Sequence, residues 1–266
     1  MDRTYWQKQT LESPLFDDLI WCKPQQKSLS GKLLIVGGNL HAIASPIKSC
    51  DVAVNQIIGG CTVVMPDKTR KLLGPKLPPN IELMPSTPSG SFSTKSKDKL
   101  TALMLQNNAT LFAGDFGHSS ETAILLEELL KVSCLQTYCG DALDYWSKQP
   151  LAILRKPNTL LVLDMAQLQK YAIGARVSQA FTSNMDLLVL IEKLHEFTNI
   201  FASHFITMHQ NQFICASHGQ VISTKIDSNT NFAWQSNIAA AASVWWLQNK
   251  NKALQAIATA ITQVSF

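Results

Sequence analysis

The chain has 266 residues, 46% of them hydrophobic and 16% charged, which excludes a disordered chain and allows one large core without disulfides. The formal net charge of +4, from 23 Lys+Arg against 19 Asp+Glu, is too small and too scattered to indicate a nucleic-acid partner. Met1 to Lys8 lack the apolar stretch of a secretory leader, and the longest apolar run, Ile238 to Leu247, is too short for a membrane span. The expectation is a cytoplasmic protein with no membrane partner.

Residues 1–30 are polar and aromatic without a period and read as an N-terminal arm leading into a single domain, 31–266. Leu33 to Val36 then form an apolar run ending at Gly37-Gly38, the pattern of a buried strand entering a tight turn. A helix is expected over 47–58, a strand over 61–65, and a proline- and serine-rich loop over 66–96 with a short strand at Ile81 to Met84. A helix over 97–106 and a strand over 109–113 follow, and the next helix is capped by Ser119 or Ser120, with Glu121 at its positive end. Strands at 135–138 and 159–163 each precede a short helix, at 142–148 and 166–172. Ser183 precedes a long helix whose core face is read as Leu187, Leu188, Ile191, Leu194 and Phe201. Strands at 204–208, 213–216 and 221–224 are close enough to form an antiparallel edge, and helices over 236–249 and 251–263 close the chain. Alternating β and α with continuous apolar strands predicts an α/β fold whose mainly parallel sheet is covered on both faces.

Several chemistries are disfavoured. Gly37-Gly38-Asn39-Leu40-His41 is not a G-x-G-x-x-G turn, and the chain holds no P-loop and no G-x-S-x-G elbow. Cys22, Cys50, Cys61, Cys134, Cys139 and Cys215 include no C-x-x-C pair and read as small buried hydrophobes, and no metal-ligand spacing is present. The basic run Lys68-Thr69-Arg70-Lys71 reads as a solvated face.

Read in order, the remaining segments resemble the ADP/ATP-dependent NAD(P)H-hydrate dehydratases, relatives of the ribokinases, over roughly residues 30–265. Residues 33–42 resemble that family's first strand and substrate loop, and Glu82-Leu83-Met84 its Pro-Glu-x-Met strand. Gly114-Asp115-Phe116-Gly117 resembles its G-P-G-L-G turn, one residue shorter, and Gly140-Asp141-Ala142-Leu143 its Asp-Ala-Asp-Ala-Leu strand end. Leu163 to Gln167 fall where the family has Thr-Pro-His and a Glu, none of them matched. Trp234-Gln235-Ser236-Asn237 falls where the family has Gly-Thr-Gly-Asp.

The resemblance implies a ribokinase-like three-layer sandwich. It implies substrate contacts at Gly38, Asn39, His41, Gly114, Asp115, Gly117 and Asp141, and a phosphate cradle at Gln235, Ser236, Asn237 and Ile238. It also implies ATP or ADP with Mg²⁺ as cofactor, an NAD(P)H-type ligand and a homo-oligomer, with exposed apolar surface on the last two helices as the candidate interface. In the family the aspartate is the general base. Asn237 stands in its place and an amide cannot accept that proton, at a cost of roughly 10²–10⁴ in rate. The resulting expectation is a non-catalytic descendant, a pseudoenzyme that keeps nucleotide or metabolite binding. The alternative is an active dehydratase or small-molecule kinase using a substitute carboxylate, Asp227 or Asp141. The residues also admit structural readings: Asp141 or Asn237 as helix N-caps, Gly37, Gly38 and Gly114 as turn residues, His41 and His118 as surface histidines, and Trp245 and Trp246 as core or interface.

Overall fold

Leu33, Leu34, Ile35 and Val36 are all buried, so successive side chains enter opposite faces of a sheet that has a hydrophobic layer on each side. The computed structural model describes residues 3–74, 76–178, 180–226 and 234–264. In chain order these form β1 (Trp6–Thr10), α1 (Asp17–Trp21), β2 (Lys32–Gly37), α2 (Ala44–Asn55), β3 (Gly60–Pro66), β4 (Ile81–Met84), α3 (Lys97–Gln106) and β5 (Ala109–Ala113). Next come α4 (Ser120–Leu130), β6 (Leu135–Cys139), α5 (Leu151–Leu154), β7 (Thr159–Val162), α6 (Met165–Gly174) and α7 (Leu187–Ile200). The chain finishes with β8 (His204–His209), β9 (Gln212–Ser217), β10 (Gln220–Lys225), α8 (Trp234–Gln248) and α9 (Ala253–Thr262).

The strands make one ten-stranded sheet in the order β1-β10-β9-β8-β7-β6-β5-β2-β3-β4. From β4 to β8 every pair is parallel; β9 runs antiparallel to β8 and β10, and β1 adds parallel to β10. Helices α2, α8 and α9 pack on the face that carries Leu33, Ile35 and Val63, while α3, α4, α6 and α7 pack on the face of Leu34, Val36, Phe112 and Tyr138. The expected three-layer, mainly parallel α/β sandwich is therefore present. In α8 every residue from Ile238 to Leu247 is buried, and Ala239 to Ala242 let the helix lie close to the sheet. A leucine at Ala240 would overpack that contact by about 1–3 kcal/mol.

Several elements differ from expectation. Residues 6–10, within the segment read as an arm, are the edge strand β1, whose Gln9 side chain is buried and bonded to Thr224 and the Ala258 carbonyl. The antiparallel strands are consequently not the edge. Helix α7 is capped by Asp186, whose side chain accepts from Leu188 N at 2.7 Å. Its buried stripe is Leu190, Ile191, Leu194, Phe197 and Thr198, with Leu188 40% exposed. The helix expected over 142–148 is a 3₁₀ helix, Gly140–Trp146. The last two helices offer little apolar surface: Trp245 and Trp246 are core, as are Ala256 to Ile261, which removes the stated ground for an interface there. Cys50, Cys139 and Cys215 are buried, while Cys22 is exposed.

Candidate active site

The chain order reverses around β2: β3 lies on one side of it and β5 on the other, so the loops leaving β2 and β5 diverge at a topological switch point. Ligands of open α/β sheets bind at such C-terminal strand ends. Gly38 (φ +84°) turns the chain out of β2. Asn39 is buried and braces the opening: its Oδ1 accepts from His41 N at 2.8 Å, and its Nδ2 donates to the Asp115 carbonyl at 3.4 Å. Gly114 ends β5 at φ +83°, where a Cβ would stand 2.7 Å from Ser45 Cβ, so glycine is required both by the backbone and by the approach of α2. Phe116 is buried against Phe92 and Phe112, which anchors the β5 loop and leaves Asp115 and Gly117 at the surface of the opening.

Around this loop lies a cavity of about 520 Å³ lined by Asp115, Gly117, His118, Asp141, Asp144 and Tyr145, with Lys148 and Lys170 at its basic side. Asp115 Oδ1 accepts from Gly117 N at 2.6 Å, and Tyr145 donates its hydroxyl to the Gly117 carbonyl. Burial pushes the Tyr145 phenol up to about 12, which keeps it a donor. Lys170 lies 3.5 Å from Asp144. Partial desolvation, then the Asp115 and Asp144 carboxylates, raise the Asp141 carboxyl above the usual carboxylate range, and His118 pulls the other way. A carboxylate made more basic by its surroundings in a concave site is the arrangement expected of a proton acceptor.

Of the residues read from the sequence, Asp115, Gly117, Asp141 and His118 share this cavity. Asn39 and Gly114 support it from behind, and His41 is exposed with its backbone N–H spent on Asn39. Asp141 is not a cap: the 3₁₀ helix starts at Gly140 without a side-chain cap.

The start of α8 does not line that cavity but adjoins its strand ends through Ser45 and Gln167. Asn237 sits inside the first turn, not at the cap, and its Oδ1 is buried without a hydrogen-bond partner among the described residues. Ser236 Oγ lies 2.7 Å from Ser45 Oγ, and Ile238 is fully buried. Trp234 packs on Phe213 at 5.4 Å. Gln235 Nε2 donates to the Val162 carbonyl at 3.1 Å and to Gln167 Oε1 at 2.9 Å, and Gln167 Nε2 donates to the Gly140 carbonyl at 3.0 Å. The segments 163–167 and 234–237 thus meet, and Gln167 connects both to the strand end that carries Asp141. Asp227 lies outside the described residues.

Sequence reasoning missed Asp144, Tyr145, Lys170 and the Gln167 bridge. Asp164 and Gln167 form a reciprocal capping box, at 2.7 and 3.2 Å, so the D-x-x-Q spacing was the signal for that helix start.

No known sequence family matches the chain, and no curated protein matches it. Solved structures do. A ribokinase-like superfamily protein from Enterococcus faecalis V583 superposes with a TM-score of 0.74 at 14% identity, over 98% of this chain and 87% of the other. The fold is ribokinase-like. The ADP/ATP-dependent NAD(P)H-hydrate dehydratase from Bacillus subtilis, co-crystallised with ATP/Mg²⁺, shares this ribokinase-like fold with a TM-score of 0.64 at 11% identity, over 94% of this chain and 86% of that one. Phosphomethylpyrimidine kinase from Clostridium difficile 630 does so with 0.54 at 9% identity, over 88% and 100%.

Proposed function

We propose that this ribokinase-like chain binds a nucleotide or a related small metabolite at the strand ends around Asp115 and Asp141, and that turnover by the route of the NAD(P)H-hydrate dehydratases it resembles is impaired. The observation that carries this reading is the first turn of α8. No carboxylate stands on it, and Asn237 offers a buried amide oxygen where the resembling family has its aspartate. Gln235 and Ser236 are engaged with Gln167, Val162 and Ser45, so their side chains brace the helix start and are not presented to a phosphate.

A second reading, an active dehydratase or kinase, is favoured by one feature. The raised Asp141 carboxyl lies in a cavity large enough for a small molecule, and could take the proton of a substrate hydroxyl while Tyr145 and Asp115 fix the loop beside it. Mg²⁺ commonly binds through one or two carboxylates plus phosphate oxygens and water. Asp141 and Asp144 would supply that set, whereas among the described residues no three His, Cys, Asp or Glu converge as an all-protein metal cage requires. When bound, the ion would neutralise phosphate charge. Loss of hydrated NADH with ATP or ADP and Mg²⁺, followed in the wild type and in Asp141→Ala, separates the two readings. No turnover supports the first, and turnover abolished by the substitution supports the second.

A further inference from the structure

At the opposite end of the sheet, beside the starts of β5, β6 and β7, lies a cavity of about 780 Å³. Its volume falls in the range of roughly 300–1,000 Å³ typical of small-molecule sites. Lys250, Lys252, His204, His218, Ser217 and Gln220 are among its lining residues, and among the described residues no Asp or Glu lines it. Lys252 pairs with Asp18 at 2.7 Å, while Lys250 has no carboxylate partner among the described residues. The adjoining depressions have the same sign. One shares Ser133, Pro157 and Asn158 and adds Lys156 and Lys131, the latter paired with Glu128 at 2.6 Å; the other shares Asn108 and adds Lys27 and Lys32. Among the described residues no carboxylate lines either. A concave wall of one sign concentrates field lines and draws in anions.

The back wall of this cavity is built, not incidental. Ser217 is buried, and its Oγ lies 2.6 Å from His204 Nδ1 and 2.7 Å from His218 Nδ1. A hydroxyl has one proton, so one imidazole accepts it and the other donates. His204 is packed edge-on against Trp246 at 4.9 Å, and burial holds its ring neutral, pushed down to about 4. With the exposed ring as donor to the hydroxyl, His204 Nδ1 accepts the Ser217 proton. His218 Nδ1–H then donates to Ser217, and Nε2 of this exposed ring donates to an anion when the ring carries both protons. His218 reaches that position only because the β9–β10 turn places it at φ +47° and Gly219 at +73°, the left-handed pair of a tight hairpin.

We propose that this cavity is a binding site for a phosphate-bearing small molecule, held by Lys250, Lys252 and His218 and distinct from the Asp141 cavity at the other end of the sheet. Each charged hydrogen bond to a phosphate accounts for about tenfold in affinity. The test is isothermal titration calorimetry of the full chain with pyrophosphate as probe, at an ionic strength fixed with NaCl. Saturable binding is expected, weakened about tenfold in Lys250→Ala and in His218→Asn and retained in Asp141→Asn. Asparagine tolerates the left-handed turn, so His218→Asn keeps the hairpin while removing the imidazole. The absence of saturable binding, wild-type affinity in both cavity variants, or loss in Asp141→Asn would each overturn the proposal. So would a short single-stranded RNA that binds the same face and is not displaced by pyrophosphate.

Discussion

The Gln235 side-chain amide donates to the Gln167 side-chain carbonyl at 2.9 Å, and so ties the first turn of α8 to the first turn of α6 across the end of β7. Gln167 also donates to the Gly140 carbonyl and closes the Asp164 capping box, so one nearly buried amide serves three partners. Replacing it with alanine strands those groups. We expect Gln167→Ala to lose about 2–3 kcal/mol in denaturant unfolding. A double-mutant cycle with Gln235→Ala should give a coupling of about 0.5 kcal/mol or more, and additive effects would show that the bridge contributes nothing.

Gly114 and Gly74 provide a paired test of close approach. Both have positive φ, +83° and +79°, but a Cβ at Gly114 meets Ser45 at 2.7 Å, whereas one at Gly74 meets nothing within 4 Å. Gly74→Ala is expected to cost about 1–2 kcal/mol of backbone strain alone. Gly114→Ala should cost clearly more, read as a larger drop in Tm, and equal drops would remove the role given to the Ser45 contact.

Asp141 is held at a disadvantage by its neighbours. Its folded-state carboxyl is raised by desolvation and by Asp115 and Asp144, so its ionisation opposes folding above the ordinary carboxylate range. Asp141→Asn is therefore expected to raise Tm at neutral pH and to leave it unchanged once the pH falls below the ordinary aspartate value. Residues that trade stability for a tuned charge are a mark of functional sites. A lower Tm at neutral pH would contradict this account of the cavity.

His204 supplies a pH signature. Its imidazole is pushed down to about 4 from an ordinary 6.5, so between these values the unfolded chain binds the extra proton. The associated stability, of the order of 3 kcal/mol, is complete above pH 6.5 and is lost as the pH falls toward 4. Thermal unfolding in His204→Gln should show a shallower decline across that window than the wild type. Parallel curves would mean that the buried ring is not the titrating group.

Much of the fold was legible because its strands are apolar throughout and its turns are marked. The helix over 97–106 and the strand over 109–113 match their observed bounds, and Ile81–Met84 survives inside a proline-rich stretch. The N-terminal strand was hidden because an edge strand faces solvent: Gln7, Lys8 and Thr10 are exposed, Gln9 is buried and Trp6 only partly so. The stripe of α7 was read one residue off at Leu188, because the inward face at the helix start is carried by Leu190 and Ile191. In the candidate site, Asp115 and Asp141 were readable as strand-end carboxylates. Tyr145, Lys170 and Gln167 join them only through tertiary packing, which no local pattern reports.

The central claim is that this ribokinase-like chain binds a nucleotide-type ligand without the turnover that an aspartate at position 237 would support. The most direct measurement is consumption of hydrated NADH by the purified protein with ATP or ADP and Mg²⁺, with Tm recorded in the same mixtures. The account predicts a nucleotide-dependent rise in Tm and no consumption above the uncatalysed rate. Sustained consumption would contradict it, and its loss in Asp141→Ala would assign the chemistry to that carboxylate.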